Sequence, residues 1–291
     1  MAKTFLLAGA ALVGALWVHP ADADPVIVVA AENFYGDVAT QIGGANVAVT
    51  SILSSPDDDP HLFAASAATA KALAGAKIVI VNGADYDPWM EKLLTANKAQ
   101  GRREILVATL AHKKPGDNPH LWYNPEIVRA FANSLTVDLG VVDPAHRLDY
   151  QRAGTAFLAS LEPLEAKIAD MRKKYAGSPV IASEPVFGYM AELLGLSVHN
   201  EKFALAVMNN AEPAASDVAA FEDDLKGHKV KVMLYNAQAS APAAQRLVQM
   251  ARDNKIPVVG VSETEPPDAT YQQWMAHQLD ALDKALSGGA S

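Results

Sequence analysis

Short apolar runs rich in β-branched residues alternate with helical patterns along most of this 291-residue chain. Strands that alternate with helices predict a mostly parallel sheet covered by helices on both faces. Over the first half, the predicted strands span 26–30, 47–53, 77–82 and 104–108, and the predicted helices span 33–42, 66–73, 88–97 and 124–139. The alternation therefore predicts the α/β fold class.

The stretch from Pro144 to Tyr175 interrupts this alternation. Its large apolar residues recur at steps of three, four and seven, which places them on one stripe of a single helix. They are Tyr150, Phe157, Leu161, Leu164, Ile168, Met171 and Tyr175. A helix of about 30 residues spans about 45 Å, which is more than one crossover needs, and Pro163 predicts a kink in it. We therefore predict a backbone helix over residues 144–176 that links two lobes.

The alternation resumes after this helix. The predicted strands span 180–182, 197–199, 230–235 and 258–261, and the predicted helices span 187–194, 215–225, 242–254 and 271–286. This pattern predicts a second lobe over residues 177–291, beside a first lobe over residues 24–143. The predicted fold is α/β, with two lobes that each have a mostly parallel sheet flanked by helices, joined by one long backbone helix.

Residues 1–23 have the features of a signal peptide. Lys3 gives a positive start, residues 5–18 are mostly apolar, and Ala21 and Ala23 make a small-residue cleavage site. The apolar run is shorter than the roughly 20 residues that a membrane-spanning helix needs. We therefore expect cleavage near residue 23, export to the periplasm, and no direct insertion into the membrane.

Cysteine and charge narrow the class further. The chain has no cysteine, so neither a disulfide nor a lipid-modified cysteine can stabilise or anchor an exported protein. Its formal net charge of −9 disfavours nucleic acids and acidic membrane surfaces as partners, because these require a basic surface. A small cation is a better candidate for the ligand.

Potential metal ligands fall in loops after the predicted strands, where ligands bind to open parallel sheets. His61 and His120 each follow a proline in the first lobe, with Asp59 and Asn118 just upstream. Glu184 and Glu263 follow strands of the second lobe. Two imidazoles and two carboxylates would make a mixed shell of two nitrogen and two oxygen ligands for a dication across a cleft.

Each of these residues also has an ordinary structural interpretation. A single loop histidine is more often solvated or caps a helix than binds a metal. Glu184 could cap the N-terminus of the helix that follows it, where the helix dipole favours an acid, and Glu263 could be a solvated loop acid. Taken residue by residue, the sequence leaves these alternatives open.

Five stretches together are similar to the metal-binding receptors of manganese and zinc ABC importers, the cluster 9 or A-I solute-binding proteins. They are residues 59–63 (DPHLF), 82–90 (NGADYDPWM), 117–122 (DNPHLW), 182–189 (ASEPVFGY) and 210–213 (NAEP). The resemblance implies two α/β lobes joined by a rigid helix, and metal ligands at His61, His120, Glu184 and Glu263. It also implies an inner-membrane ABC permease as partner, and we expect a monomer.

The resemblance bears on which metal is carried. Zinc-type members usually have histidine where this chain has Glu184, and a carboxylate favours manganese or iron relative to a three-histidine site. The long histidine-rich loop of many zinc receptors is missing, since residues 111–116 contain only His112. The fourth ligand of the family is normally aspartate, so Asp268 is an alternative to Glu263. We expect one Mn²⁺ or Zn²⁺ ion, with Fe²⁺ as a further alternative.

Two other functions fit parts of the same pattern. A metallohydrolase could use the same four residues with a metal-bound water, but the sequence has no helical HExxH, no GxSxG and no glycine-rich phosphate loop. We therefore expect no enzyme activity. A receptor for a metal chelate, such as a siderophore, corrinoid or haem, would need a wide aromatic or basic cleft. Binding of the free ion with one-to-one stoichiometry would separate a metal receptor from a chelate receptor.

Overall fold

A computed structural model describes residues 24–56, 63–209, 211–239 and 242–288. The predicted signal peptide, residues 1–23, and His61 lie outside the described residues. Within the described residues the chain forms two four-stranded sheets, and every strand pair is parallel. The predicted α/β fold with two lobes is confirmed.

The first sheet has the order β2-β1-β3-β4. Its strands are β1 (Val26–Glu32), β2 (Val47–Leu53), β3 (Ile78–Val81) and β4 (Arg103–Leu106), and the helices around it are α1 (Asn33–Gly43), α2 (Ala67–Ala74), α3 (Pro88–Ala96), α4 (Val107–Leu110) and α5 (Pro125–Val142). All of β3 and nearly all of β1 are buried, because helices cover both faces of a parallel sheet. This explains why both strands are almost continuously apolar.

The second sheet has the order β6-β5-β7-β8. Its strands are β5 (Pro179–Ala182), β6 (Ser197–Val198), β7 (Val232–Asn236) and β8 (Val258–Val261), and its helices are α8 (Gly188–Leu194), α9 (Glu201–Met208), α10 (Ala215–Lys226), α11 (Pro242–Asp253) and α12 (Tyr271–Leu286). The strand order repeats that of the first sheet, although the sequence shows no repeat. In each sheet the order reverses beside its first strand, which makes a crevice at the carboxyl ends of the strands.

The linking segment is helical but not continuous. Two helices, α6 (Arg147–Ser160) and α7 (Glu162–Tyr175), meet at Leu161. Pro163 lies in the first turn of α7 and lacks the N–H that would continue the hydrogen bonds of α6. The predicted long helix with a kink near Pro163 is therefore confirmed, and the break falls two residues before the proline. The helices α4 and α9, by contrast, were not predicted, and residues 107–108 of the predicted strand 104–108 lie in α4.

The hydrophobic core runs through both lobes, because α12 of the second lobe packs against the first. The rings of Phe34 and Trp122 in the first lobe stack with their centroids 4.3 Å apart, and Trp274 of α12 lies 5.9 Å from Phe34. The hydroxyl of Tyr271 donates to the carbonyl of Trp122 at 2.7 Å. Among the described residues, no helix combines the length and the apolar character needed to cross a membrane.

Candidate metal centre

His120 is completely buried at the edge of the first lobe. The side-chain oxygen of Asn118 accepts hydrogen bonds from the backbone N–H of His120 at 3.1 Å and from its Nδ1 at 2.6 Å. An oxygen acceptor at Nδ1 places the ring hydrogen there and leaves the Nε2 lone pair available. Nε2 has no hydrogen-bond partner among the described residues. The hydrogen bond between Nδ1 and Asn118 orients the imidazole in the way that metal-ligating histidines require.

Glu263, from the second lobe, meets His120 across the boundary between the lobes. Its Oε2 lies 3.5 Å from Nε2 of His120, and both side chains are fully buried. Glu184 follows β5 and is 8% exposed. The side-chain amide of Asn236, at the end of β7, donates to Glu184 Oε2 at 3.0 Å and to Glu263 Oε1 at 2.5 Å. One amide thus joins both acids at the place where they face the first lobe.

The ordinary interpretations of the two acids do not fit the structure. Glu184 stands at the N-cap position of the 3-10 turn Pro185–Phe187, but its side chain makes no capping hydrogen bond. Glu263 has no solvent exposure, so it is not a solvated loop acid. Asp268, the alternative fourth ligand, is exposed to solvent. Of the two candidates for that position, Glu263 is the one that reaches the buried His120.

Gln238 anchors the backbone that carries Glu263. Its side-chain oxygen accepts from the backbone N–H of Glu263 at 2.6 Å and of Thr264 at 3.0 Å. Its side-chain nitrogen donates to the hydroxyl of Thr264 at 2.5 Å. Since β7 lies next to β8 in the sheet, a residue just after β7 can hold the loop after β8. This fixes the direction from which Glu263 enters the site.

Tyr86 approaches the site from the first lobe on an unusual loop. Gly83, Ala84 and Asp85 all have left-handed backbone conformations, with φ of 78°, 53° and 65°, and such strain in non-glycine residues is typical of functional sites. The ring of Tyr86 lies 6.0 Å from that of His120. Burial, and then the negative charge and hydrogen bonding of Glu263, raise the pKa of Tyr86 well above its usual range. Tyr86 is therefore a neutral hydroxyl beside Glu263.

Two further acids lie beneath this loop. Asp87 accepts from the backbone N–H of Asn82 and of Gly83, both at 2.8 Å. Glu32, at the end of β1, is completely buried against Asp87. Burial, and then the negative charge of Asp87, raise the pKa of Glu32 well above its usual range. A protonated Glu32 avoids two adjacent buried charges beneath the loop that carries Tyr86.

The described residues contain part of the predicted ligand set. His120 and Glu263 are directly adjacent, and Asn236 joins Glu263 to Glu184. Within the described ranges, no three histidine, cysteine, aspartate or glutamate side chains are grouped closely enough to hold a metal ion, and His61 is outside those ranges. Two buried acids facing an imidazole still form a site that a bound cation would stabilise, because burial of a carboxylate is energetically costly unless it is paired.

A cavity of about 450 Å³ lies beside Glu184, between the loop 113–118 of the first lobe and the helices α8 and α9. Lys113 stands at this cavity with its ammonium 4.9 Å from the centre of the Tyr189 ring. The remaining lining is mainly apolar and includes Phe187 and Leu205. This volume lies in the range of small-molecule sites.

Sequence reasoning missed Asn236, Gln238 and Glu32. All three lie at or just after the carboxyl end of a strand in the middle of its sheet. Ligands bind at this edge of a parallel sheet, which is why Glu184 and Glu263 could be predicted. The three missed residues are not among the predicted metal ligands, although they lie at the same edge. The signal that could have identified them is an amide or a further carboxylate at the carboxyl end of a central strand.

The sequence profile of one protein family matches residues 28–285, nearly the whole described chain. That family is described as zinc-uptake complex component A, periplasmic (ZnuA). The chain belongs to this family. One protein of similar sequence is a putative metal-binding protein of Treponema pallidum (strain Nichols), 23% identical over 91% of this chain and 88% of the relative. The manganese-binding lipoprotein MntA of Bacillus subtilis (strain 168) is 22% identical over 89% of each chain.

Solved structures of similar fold cover the ZnuA-family chain almost completely. The periplasmic zinc-binding protein TroA of Treponema pallidum superposes with a TM-score of 0.76 at 16% identity, over 91% of this chain and 99% of the other. The solute-binding protein FpvC of Pseudomonas aeruginosa, solved in complex with Mn²⁺, gives a TM-score of 0.73 at 20% identity, over 92% and 100%. At these identities the likeness establishes the shared two-lobed fold.

Proposed function

We propose that this ZnuA-family protein captures one divalent transition-metal ion, Mn²⁺ or Zn²⁺, and delivers it to an inner-membrane ABC permease. The ligands in this proposal are His61, His120, Glu184 and Glu263. The observation that carries it is the approach of His120 Nε2 to Glu263 Oε2 at 3.5 Å in a fully buried position between the lobes. A cation there would accept the imidazole lone pair and neutralise the acids, both of which the buried site requires.

The proposal includes the setting of the protein. It is exported by a signal peptide at residues 1–23, acts as a monomer in the periplasm, and consists of lobes 24–143 and 177–291 joined by the helix 144–176. Support comes from the family, whose description is that of a periplasmic uptake component, and from relatives that bind metal, such as the manganese-binding lipoprotein of B. subtilis. The family consists of substrate-binding receptors rather than enzymes.

The choice of metal in the proposal rests on Glu184. A carboxylate at this position makes the site harder than a third imidazole would, which favours Mn²⁺ or Fe²⁺ relative to a three-histidine site. The affinity order of divalent metals still favours Zn²⁺ at a nitrogen and oxygen site when both ions are equally available. Which ion is loaded therefore depends both on the ligand set and on the concentration of each ion in the periplasm.

A second candidate, a receptor for a small metal chelate, is favoured by the cavity of about 450 Å³ beside Glu184. The close approach of His120 and Glu263 favours the free ion instead, because it leaves room between them for an ion and not for its organic ligand. Calorimetry with Zn²⁺ or Mn²⁺ alone separates the two. One-to-one binding of the free ion supports the first function, and binding only in the presence of a chelator supports the second.

The test of the ligand set is elemental analysis of protein purified from the periplasm, with the variants His61→Ala, His120→Ala and Glu184→Ala. His199→Ala is the matched control, because His199 is paired with Asp224 at 2.9 Å away from the site. We expect about one metal ion per protein in the wild type and the control, and much less in the three variants. Wild-type metal content in all three would overturn the assignment.

A further inference from the structure

The side-chain amide of Asn236 contacts both acids of the second lobe. It ends β7, the strand next to both β5 and β8, and is 3% exposed. Glu184 follows β5 and Glu263 follows β8, so Asn236 projects between them from the strand in the middle. No other position in the sheet offers this placement.

The orientation of the Asn236 amide follows from its neighbours. Its side-chain oxygen accepts from the backbone N–H of Gln238 at 3.0 Å. The opposite end of the amide, the NH₂ group, therefore faces the two acids, which can only accept when ionised. The backbone N–H of Asn236 in turn donates to the hydroxyl of Ser183 at 3.1 Å. The side-chain amide is thus held by Gln238 and by both acids, while the bond to Ser183 fixes the backbone that carries it.

The two hydrogens of this NH₂ group go to different carboxylates. One is donated to Oε2 of Glu184 and the other to Oε1 of Glu263, so each acid commits one oxygen to the amide. The other oxygen of Glu263, Oε2, is the one near His120 Nε2. Hydrogen bonds to ionised acceptors are strong and directional, and here they sort the two oxygens of Glu263 into one for Asn236 and one for the ligand side.

From this geometry we infer that Asn236 is a positioning residue that favours metal binding through one oxygen of each acid and thereby sets metal preference. The inference rests on the proposed function, because it concerns the same site. With one oxygen from each acid and one nitrogen from each histidine, the site provides four ligands, the number that Zn²⁺ prefers in tetrahedral geometry. Hard ions such as Mn²⁺ favour six oxygen-rich ligands, which would require the oxygens that Asn236 holds.

Removing the amide should therefore have two effects. The acids lose the group that keeps them in place in the metal-free protein, so affinity for both ions should fall, by about 10- to 100-fold as is usual for residues that orient metal ligands. Each acid also becomes able to bind with both oxygens. The added oxygen ligands should offset more of the lost affinity for Mn²⁺ than of the lost affinity for Zn²⁺. The ratio of the two affinities should shift toward Mn²⁺.

The experiment measures dissociation constants of Zn²⁺ and Mn²⁺ by competition with a chelator for the wild type, Asn236→Leu and Asn236→Ser. Leucine has similar volume and no donor, whereas serine can donate to only one acid and should give an intermediate shift. Serine also retains a small polar side chain, so it provides a result if the leucine variant does not fold. The control is Asn200→Leu, since Asn200 is another buried amide of this lobe but bonds to the backbone of Ala182.

The expected result is a ratio of Zn²⁺ to Mn²⁺ affinity that falls in the order wild type, Asn236→Ser, Asn236→Leu, with the ratio of Asn200→Leu close to wild type. An unchanged ratio in Asn236→Leu and Asn236→Ser, or the same shift in Asn200→Leu, would overturn the inference and leave the metal-receptor function standing. Failure of the wild type to bind either ion would instead overturn the proposed function.

Discussion

The buried pair Glu32 and Asp87 shows how a single protonation state can matter to the loop beside the metal centre. Asp87 accepts hydrogen bonds from two backbone N–H groups, which stabilise its ionised form more than that of Glu32. Neither carboxyl oxygen of Glu32 has a hydrogen-bond partner among the described residues, so Glu32 is the acid that keeps its proton. The pair is therefore a protonated acid beside a carboxylate.

The first prediction concerns Glu32→Gln. Unfolded Glu32 ionises near pH 4.5, while folded Glu32 keeps its proton to higher pH because burial raises its pKa. Its contribution to stability is therefore fully present below pH 4.5 and is lost as the pH rises, by at most about 1.4 kcal/mol per pH unit. Glutamine is neutral at every pH and so does not lose this contribution. The free energy of unfolding of the variant, from urea titrations of metal-free protein, should thus exceed that of the wild type increasingly between pH 5 and pH 8.

The control is Glu126→Gln, at an exposed position of α5. This control should show the same pH dependence as the wild type. A difference between Glu32→Gln and the wild type that stays constant with pH would contradict the protonated state of Glu32.

The second prediction concerns Glu184→His. An imidazole in place of the carboxylate makes the site softer and removes one of its two negative charges, so the preference should move toward Zn²⁺ relative to Mn²⁺. The measurement is direct competition of the two ions, with Glu126→His as a control at an exposed position of α5. An equal Mn²⁺ to Zn²⁺ ratio in Glu184→His and the wild type would refute the role of Glu184 in selectivity.

At the scale of helices and strands, periodicity predicted most elements with small errors at their ends. The strands β2 and β8 and the helix α12 have the predicted bounds, since each is a strongly patterned run with clear turn residues around it. The helix α9 was missed because it is only eight residues long and buries little beyond Phe203 and Ala204. Such a short helix owes its stability to packing on its neighbours, which a local pattern does not show.

The contact between α5 and α6 allows a third prediction. Gly154 of α6 is buried against Thr136 of α5, and a Cβ added to Gly154 would lie 2.4 Å from the Thr136 hydroxyl. Gly154→Ala should therefore cost about 1–3 kcal/mol by overpacking, more than the roughly 1 kcal/mol that alanine gains in helix propensity. Urea unfolding should show a net loss of stability.

The same substitution in a Thr136→Ala background tests the cause. Without the hydroxyl the added methyl group has more room, so Gly154→Ala should cost less there or stabilise the protein. A double-mutant cycle gives the coupling between the two positions. Equal costs in both backgrounds would mean that the clash with Thr136 is not what limits this position.

At the scale of the whole molecule, the two lobes are joined by more than the linking segment. The hydroxyl of Tyr123 in the first lobe donates to the carbonyl of Ser262 in the second. Tyr271 donates to the carbonyl of Trp122, and Asn33 donates to that of Glu265. These bonds join the two lobes and oppose a wide hinge opening.

The fourth prediction follows from these contacts. The radius of gyration in solution should differ by less than about 1 Å between protein with EDTA and protein with one equivalent of Zn²⁺, in the range of small adjustments on binding. Small-angle X-ray scattering measures it. Tyr271→Phe, which removes one of the bonds between the lobes, should enlarge the difference. A change of several ångströms in the wild type would indicate a hinge that these contacts do not restrain.

The sequence predicted the two-lobed α/β fold and the helical segment that joins the lobes. It could not show how near the candidate ligands lie to one another, because this depends on packing between distant segments. Asn236 is the clearest case. In the sequence it is a polar residue at the end of a strand, a common turn residue, and only the order of strands β5, β7 and β8 places it between two acids.

The position of α12 on the first lobe also bears on how the chain acquires its structure. During synthesis Phe34 and Trp122 emerge long before Trp274, the residue of α12 that helps to cover them. Until α12 arrives, part of the aromatic surface of the first lobe is exposed to water and open to aggregation. The two halves therefore do not mature one after the other as independent units, and a ribosome-bound first half should remain a client for chaperones.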